Sequence, residues 1–396
     1  MNYIFISPNF PEYYWQFCKS LRSKGIHVLG IGDAPYDSLH PETKSNLVEY
    51  YRVNSLENYD EVYRAVGFFI GKYGRIDYID SQNEYWLEME AQLRLDFNIA
   101  SGTRPKELKA MKYKSKMKAV YKKAGIPTAR YQLIKKQQDL YDFVEEVGYP
   151  VVVKPDNGVG ASDTHKLSNK KEILKFLKNK TKGVSYIAEE FVYGHVETFD
   201  GITDSHKNIL VCTSHVLLDS IMDSVNHHCD MGFYSQMVKG SDIETIGKKV
   251  VEAFDTTQKF FHFEFFRLEK DKAGLGKKGD LVGLEVNMRA PGAYIPDMMN
   301  YAYDCNVYDI YAQMIVNDSY QEELKQKYCI GYVGLRDHVS YVHHNQQIKM
   351  KYGEQIITYE PVPEALSEAM GNHVYLLKAK TEKEIKEMIR FIREKK

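Results

Sequence analysis

Short apolar runs alternate with amphipathic stretches along the N-terminal quarter of the chain, and this alternation predicts a parallel sheet flanked by helices. Tyr3 to Ser7 reads as a strand, Glu12 to Lys24 as a helix closed by Gly25, and Ile26 to Ile31 as a second strand. Tyr50 to Asn54 and Ile76 to Asp80 read as further strands, with a helix from Leu56 to Lys72 between them. The first strand runs into Ser7-Pro8-Asn9-Phe10-Pro11 in place of a glycine-rich turn. Its two prolines remove N–H donors that a pyrophosphate needs, which argues against a dinucleotide site.

Between Pro105 and Lys123 the pattern becomes Lys-rich and helical, ending at Gly125-Ile126-Pro127, where glycine stops a helix and proline sets the exit. A domain boundary is expected near residue 105. A strand Arg130 to Ile134, a helix Asp139 to Gly148, a strand Val151 to Lys154, a helix Lys170 to Lys178 and a strand Ser185 to Glu190 make a small α+β unit. Strands rich in Val, Leu and Phe continue to about Arg289 around a helix near Ile243 to Phe260, and Val307 to Val316 is helical. The remainder gives two strands and a charged helix, Glu382 to Lys396; Lys270 to Lys278 reads as a solvated hairpin loop.

Composition narrows the class. At 396 residues, 43% hydrophobic and 27% charged, the chain has enough material for two or three folded domains. A formal charge of -1 supplies no global field for nucleic acid or anionic lipid, so neither partner is expected. The five cysteines contain no C-x-x-C pair, against a disulfide framework or a zinc knuckle. The start of the sequence lacks a basic, apolar leader and no run reaches membrane-span length, so a cytoplasmic location is expected.

Three segments carry chemistry. In Val151-Val152-Val153-Lys154-Pro155-Asp156-Asn157-Gly158-Val159-Gly160-Ala161-Ser162, a buried strand ends in a lysine and a loop whose glycines permit close backbone approach. That is a phosphate cradle, with a surface hairpin as the structural alternative. G-x-x-x-x-G-K-[ST] is absent, and Asp163 breaks G-x-G-x-x-G. Phe260-Phe261-His262-Phe263-Glu264-Phe265-Phe266 and Leu281-Val282-Gly283-Leu284-Glu285-Val286-Asn287-Met288-Arg289 each surround a carboxylate with apolar residues. On a strand Glu285, Asn287 and Arg289 share a face, and hairpin pairing brings Glu264 to Glu285; two half-buried carboxylates and an amide suit Mg²⁺, or else a Glu/Arg pair ties two strands. Third, Glu189-Glu190-Phe191-Val192 can offer backbone groups to an adenine edge, with Glu197 beyond for ribose, although many strand-loop segments would read the same way.

In order and spacing these residues resemble the ATP-grasp superfamily of carboxylate-amine or thiol ligases, similar to the ATP-grasp domains of biotin carboxylase and carbamoyl phosphate synthetase. The resemblance covers about residues 110 to 300. It implies an α/β and α+β architecture: an N-terminal doubly wound domain (1–105), an ATP-grasp small lobe (106–188), a large lobe (189–320) and a C-terminal α+β segment (321–396). In the families this chain resembles, a lysine precedes the helix-ending A-G-I-P by a fixed interval, and counting back from Ala124-Gly125-Ile126-Pro127 the resemblance implies Lys114 as the α-phosphate lysine, with Lys112 and Lys116 as rivals. The resemblance further implies Lys154 bridging the α- and β-phosphates, the loop with Gly158, Gly160, Ala161 and Ser162 over the β- and γ-phosphates, and Glu189, Glu190, Phe191 and Val192 at adenine. Glu197 would hold ribose, Glu264, Glu285 and Asn287 two Mg²⁺ ions (or Mn²⁺), and Arg289 an acyl phosphate. Small-molecule carboxylate and amine substrates follow, and a homodimer, as related ligases often are. One departure stands out: many relatives follow Asn-x-Arg with Gly-Gly, whereas this chain has Arg289-Ala290-Pro291-Gly292-Ala293, which bears on the acceptor side.

Adjacent residues of a strand point oppositely, so His227-His228-Cys229-Asp230 does not read as a metal cluster. With Tyr234 and Lys239 it is expected to border the acceptor pocket, and His343-His344 to lie at the surface. The competing functions are a bicarbonate-activating carboxylase or carbamoyl-phosphate-type enzyme and a noncatalytic nucleotide-binding module; a dehydrogenase is the weakest of the readings.

Overall fold

A computed structural model describes residues 1–158, 163–221, 224 and 228–396; Gly160, Ala161 and Ser162 of the expected phosphate loop, and His227, lie outside them. Among the described residues the strands form three sheets. The first is parallel, in the order β3-β2-β1-β4, from β1 (Asn2–Ile6), β2 (His27–Gly32), β3 (Glu49–Arg52) and β4 (Tyr78–Asp80). Strand alternation divides its side chains between two cores. Ile4, Ile6, Leu29 and Ile31 pack on Val62, Ala65, Val66 and Phe69 of helix Tyr59–Tyr73. Tyr3 and Phe5 join Phe17 and Leu21 of helix Trp15–Ser23 and Tyr308 and Tyr311 of helix Val307–Asn317.

The second sheet, in the order β5-β8-β6-β7, is a small antiparallel layer of β5 (Tyr131–Ile134), β6 (Val151–Pro155), β7 (His165–Leu167) and β8 (Tyr186–Glu190). The third holds β9 (Gly194–Thr203), β10 (Ile209–Leu217), β11 (Met231–Gln236), β12 (Lys259–Leu268), β13 (Leu281–Asn287), β14 (Cys329–Leu335), β15 (Ile356–Pro361) and β16 (His373–Ala379), in the order β13-β12-β9-β10-β11-β14-β16-β15. Helix Asp242–Ala253 lies against β9 at Gly247, where a Cβ would meet the Phe199 ring at 2.2 Å. Gly247→Ala is therefore expected to cost about 1–3 kcal/mol by overpacking a buried ring that cannot withdraw; urea unfolding checks it.

Five local expectations are corrected. The helix predicted over 243–260 ends at Ala253, and Lys259 already starts β12; Asp255 and Gln258 at φ 49° and 48° break the helix without a glycine to announce it. The helical stretch 105–123 is two helices, Pro105–Lys112 and Lys114–Lys123, divided at Tyr113. The C-terminal part contributes three strands instead of two, and β14 pairs with β11, so they extend the same sheet as residues 194–287. The final helix spans Glu382–Ile392 and stops short of Lys396. The 270–278 hairpin is not simply solvated: Leu275 is buried and Lys272 Nζ reaches back to Phe191 O at 2.9 Å.

Candidate active site

Strand β6 delivers Lys154 to its end, 8% exposed, and the following Asp156 reaches across to cap helix Lys114–Lys123. Its carboxylate accepts from Ser115 N at 2.7 Å and Ser115 Oγ at 2.8 Å, and its carbonyl accepts from Lys114 N at 2.8 Å. A carboxylate at a helix N-terminus satisfies orphan donors and fixes the first turn. Lys114, in that turn, donates to Gly158 O at 2.8 Å and pairs with Glu285 Oε1 at 2.9 Å. One helical turn later Lys118 stands on the same face, its Nζ 3.1 Å from Glu189 Oε1 as an ion pair without hydrogen-bond alignment. Glu189 Oε2 lies 3.1 Å from Lys154 Nζ.

Three buried lysines thus converge, and the charges decide their state. Burial pushes the Glu189 carboxyl upward, but Lys118 and Lys154 outweigh it and hold the group at about 2. Burial also lowers Lys118 despite Glu189. For Lys114, Glu285 overcomes the burial penalty and raises the ammonium above its ordinary value.

Opposite the lysines, β12 and β13 form the hairpin that brings Glu264 and Glu285 into direct register, with Asn287 opposite His262. A bulge between Glu264 and Phe265 shifts the pairing, so that Glu285 and Gly283 rather than neighbours face successive residues of β12. Burial, opposed by Lys114 and reinforced by Glu264, raises the Glu285 carboxyl. Glu264 is held low because His262 more than offsets its burial. Two facing carboxylates with an amide oxygen beside them are an all-oxygen donor set under mutual repulsion, which a hard divalent cation relieves. The residues therefore fit Mg²⁺.

Arg289, beyond the end of β13, pairs through Nη2 with Glu84 Oε2 at 3.0 Å and donates from Nη1 to Ala290 O at 2.8 Å. Glu84 comes from the turn after β4, and Gln82 Oε1 accepts from Ala290 N at 3.0 Å. The N-terminal sheet thereby supplies one wall of the site.

The adenine and ribose candidates are placed differently. Glu190 accepts from Arg130 N at 2.8 Å, Nη2 at 2.9 Å and Nε at 3.2 Å, and lies 3.2 Å from Lys272 Nζ, so its side chain is tied away from the lysine cluster. Val192 is buried with Ala129, Leu268 and Val282. Lys166 lies over the Phe191 ring at 4.4 Å. Glu197 is clasped by Arg267 at 2.7 and 2.8 Å, by His195 at 3.2 Å and by Gln236 at 3.0 Å. These occupy the roughly four lone-pair positions a carboxylate offers, so a ribose hydroxyl could bind there only if one of those donors withdrew.

Residues 229 and 230 make contacts with the C-terminal segment, and Cys229 O also accepts from Ser224 Oγ at 3.1 Å. Arg336 Nε donates to Cys229 O at 2.8 Å, and Asp230 meets Tyr341 at 2.6 Å and Lys395 at 3.0 Å. Tyr234 lies under Lys386, 4.8 Å from its Nζ. His343 stacks on Phe391 at 3.5 Å between ring centroids and is only partly exposed.

Sequence reasoning missed Lys118, Asp156 and Glu84. The recurrence of lysine one helical turn after Lys114 was a usable signal for Lys118; Glu84 carries none, since its partner is 205 positions away.

Comparison with known proteins follows the same lines. The family model for the ATP-grasp domain matches residues 119–275. The carbamoyl phosphate synthase large chain of Methanosphaerula palustris is 26% identical over 207 residues, which are 50% of this chain and 19% of that one. The L-arginine-specific L-amino acid ligase of Bacillus subtilis is 24% identical over 63% of this chain and 60% of its own. The chain thus spans less than two thirds of the length of either relative. Among solved structures, the L-amino acid ligase from Bacillus licheniformis shares the fold at a TM-score of 0.73 and 14% identity, over 99% of this chain and 96% of that one. No helix among the described residues is long and apolar enough to cross a membrane. Residues 119–275 thus match the ATP-grasp domain, and the chain shares the fold of the Bacillus licheniformis ligase along nearly its whole length.

Proposed function

We propose that this protein is an ATP-dependent ligase that activates a small-molecule carboxylate on Mg-ATP as an acyl phosphate and passes the acyl group to an amine. The observation that carries this reading is the facing of two charge sets: Lys114, Lys118 and Lys154 on one side, Glu264, Glu285 and Asn287 on the other. A triphosphate fits between them because the lysines neutralise its oxygens, and Lys114 exchanges its Glu285 partner for phosphate. Glu264, Glu285 and Asn287 would hold the divalent cation, two ions being the proposed number, which supplies charge neutralisation at the phosphates. The backbone of residues 190–192 would face the adenine edge, and the loop from Gly158 onward would cover the β- and γ-phosphates.

A substrate carboxylate oxygen then attacks the γ-phosphorus, the bond to the β-bridging oxygen breaks, and ADP leaves. The amine nitrogen attacks the acyl carbon and inorganic phosphate departs. Arg289, half-buried and aligned by Glu84, offers a fixed cation to the acyl phosphate. The reaction needs no side-chain nucleophile. A homodimer is the proposed assembly.

The test is ADP release screened over amino acids and other small carboxylates paired with amines, with mass spectrometry of the product. A condensed product and one ADP per bond are expected. Release driven by bicarbonate alone would replace this reading with the carboxylase type, which the similarity to carbamoyl phosphate synthase makes the rival; nucleotide binding without turnover over the whole panel would refute both.

A further inference from the structure

Behind Glu264 runs a buried polar chain that the reaction above does not use. Asp200 on β9 is 0% exposed. Its Oδ1 lies 2.5 Å from His262 Nδ1, and its Oδ2 lies 2.8 Å from His215 Nδ1 on β10. Thr198 Oγ1 donates to Asp200 Oδ2 at 2.5 Å and accepts from His215 N at 3.2 Å. At its other end His262 Nε2 lies 3.2 Å from Glu264 Oε1.

The chemistry of the partners sets the direction of these bonds. A carboxylate only accepts, so a ring with a carboxylate oxygen at each nitrogen donates from both. Asp200, held by groups from three strands, fixes the plane of the His262 ring, and the ring holds one named oxygen of Glu264. A glutamate side chain otherwise has rotatable torsions to lose when it is ordered.

Holding the strands together does not require this chain. β9 and β12 are already paired through ten consecutive residues, from Lys259 with Thr203 to Leu268 with Gly194. Placing charged groups in such an interior carries a desolvation penalty that an apolar pair would avoid. What the chain adds is orientation of a side chain at its end, the service an outer carboxylate gives a ligand through a histidine.

We infer that Asp200 is a positioning residue for the cation site: acting through His262, it pins Oε1 of Glu264 and leaves Oε2 for the ion. This rests on the proposed placement of the cation at Glu264, Glu285 and Asn287, and the test separates the two ideas.

Mn²⁺ affinity is measured by electron paramagnetic resonance with ADP present, and ADP affinity by calorimetry without divalent ions. The variants are Asp200→Asn and, as a control, Thr213→Val, which sits opposite Asp200 on β10 with a hydroxyl that has no hydrogen-bond partner among the described residues. Asp200→Asn is expected to weaken Mn²⁺ binding by about 10- to 100-fold while metal-free ADP affinity stays within twofold, and Thr213→Val to change neither. Should Asp200→Asn not fold, His262→Gln is read by the same two measurements with the same expectation. Mn²⁺ affinity within twofold of wild type in the folded variant, or an equal loss in Thr213→Val, overturns the inference while the cation reading stands. Absence of Mn²⁺ binding in the wild-type protein with ADP overturns the cation reading itself, and the inference with it.

Discussion

Glu285→Gln is expected to lower ATP-dependent phosphate release by about 10²- to 10³-fold, the scale on which a fixed electrostatic group acts in catalysis, with the fold preserved. The substitution keeps an oxygen donor of the same shape and removes only charge. Its effect on stability is small because two consequences oppose each other. Glu285 is half-buried and raised above the ordinary carboxyl value by desolvation, with Glu264 adding to that effect, so neutralising it relieves repulsion between facing carboxylates. Lys114 meanwhile loses its partner at 2.9 Å. The same loss predicts a second reading: without divalent ions, ADP should bind the variant as tightly as wild type or more so, since phosphate no longer competes with Glu285 for Lys114. A continuous phosphate assay and calorimetry check both. Undiminished turnover would remove Glu285 from the cation site.

Strand alternation made part of this site legible. Lys154 at the end of a run of valines, and Glu285 with Asn287 two positions on, were readable as polar groups on one face of a strand, and the pairing of Glu264 with Glu285 followed from reading the two runs as a hairpin. The Glu189-Glu190 pair shows where such reading stops. Adjacent strand residues face opposite ways, and a one-residue change of register exchanges them. Only the pairing of Val152 with Glu189 and of Val151 with Glu190 settles that Glu189 turns to the lysines and Glu190 to Arg130. The cap from Asp156, the Glu84 partner of Arg289 and the Asp200 chain join residues 41, 205 and 62 positions apart, and no local period encodes such meetings. The end of the helix at Ala253 was hidden for a local reason, because left-handed Asp255 and Gln258 lack the glycine that usually marks such a stop.

Glu189→Gln is the substitution expected to cost most in stability. It leaves Lys118 and Lys154 buried against each other without the carboxylate that lies 3.1 Å from each, and removing one partner of a buried ion pair costs about 3–5 kcal/mol. The acid limb of the stability curve gives an independent measure. Glu189 is held at about 2 against an ordinary 4.5, burial being outweighed by Lys118 and Lys154. Because the folded value is the lower one, the unfolded chain binds the proton more readily. The stabilisation is complete above pH 4.5 and is lost as pH falls toward 2. That difference is worth about 3 kcal/mol, close to the cost expected for the substitution. Urea unfolding from pH 7 to pH 2 should therefore show the two proteins far apart at neutral pH and converging in acid. Nucleotide adds a discriminating arm: ADP phosphates can supply the missing negative charge to Lys118 and Lys154, so saturating ADP should raise the stability of the variant more than that of the wild type. Parallel acid limbs together with equal stabilisation by ADP would show that Glu189 balances neither lysine, and would take the nucleotide phosphates away from this face of β6 and β8.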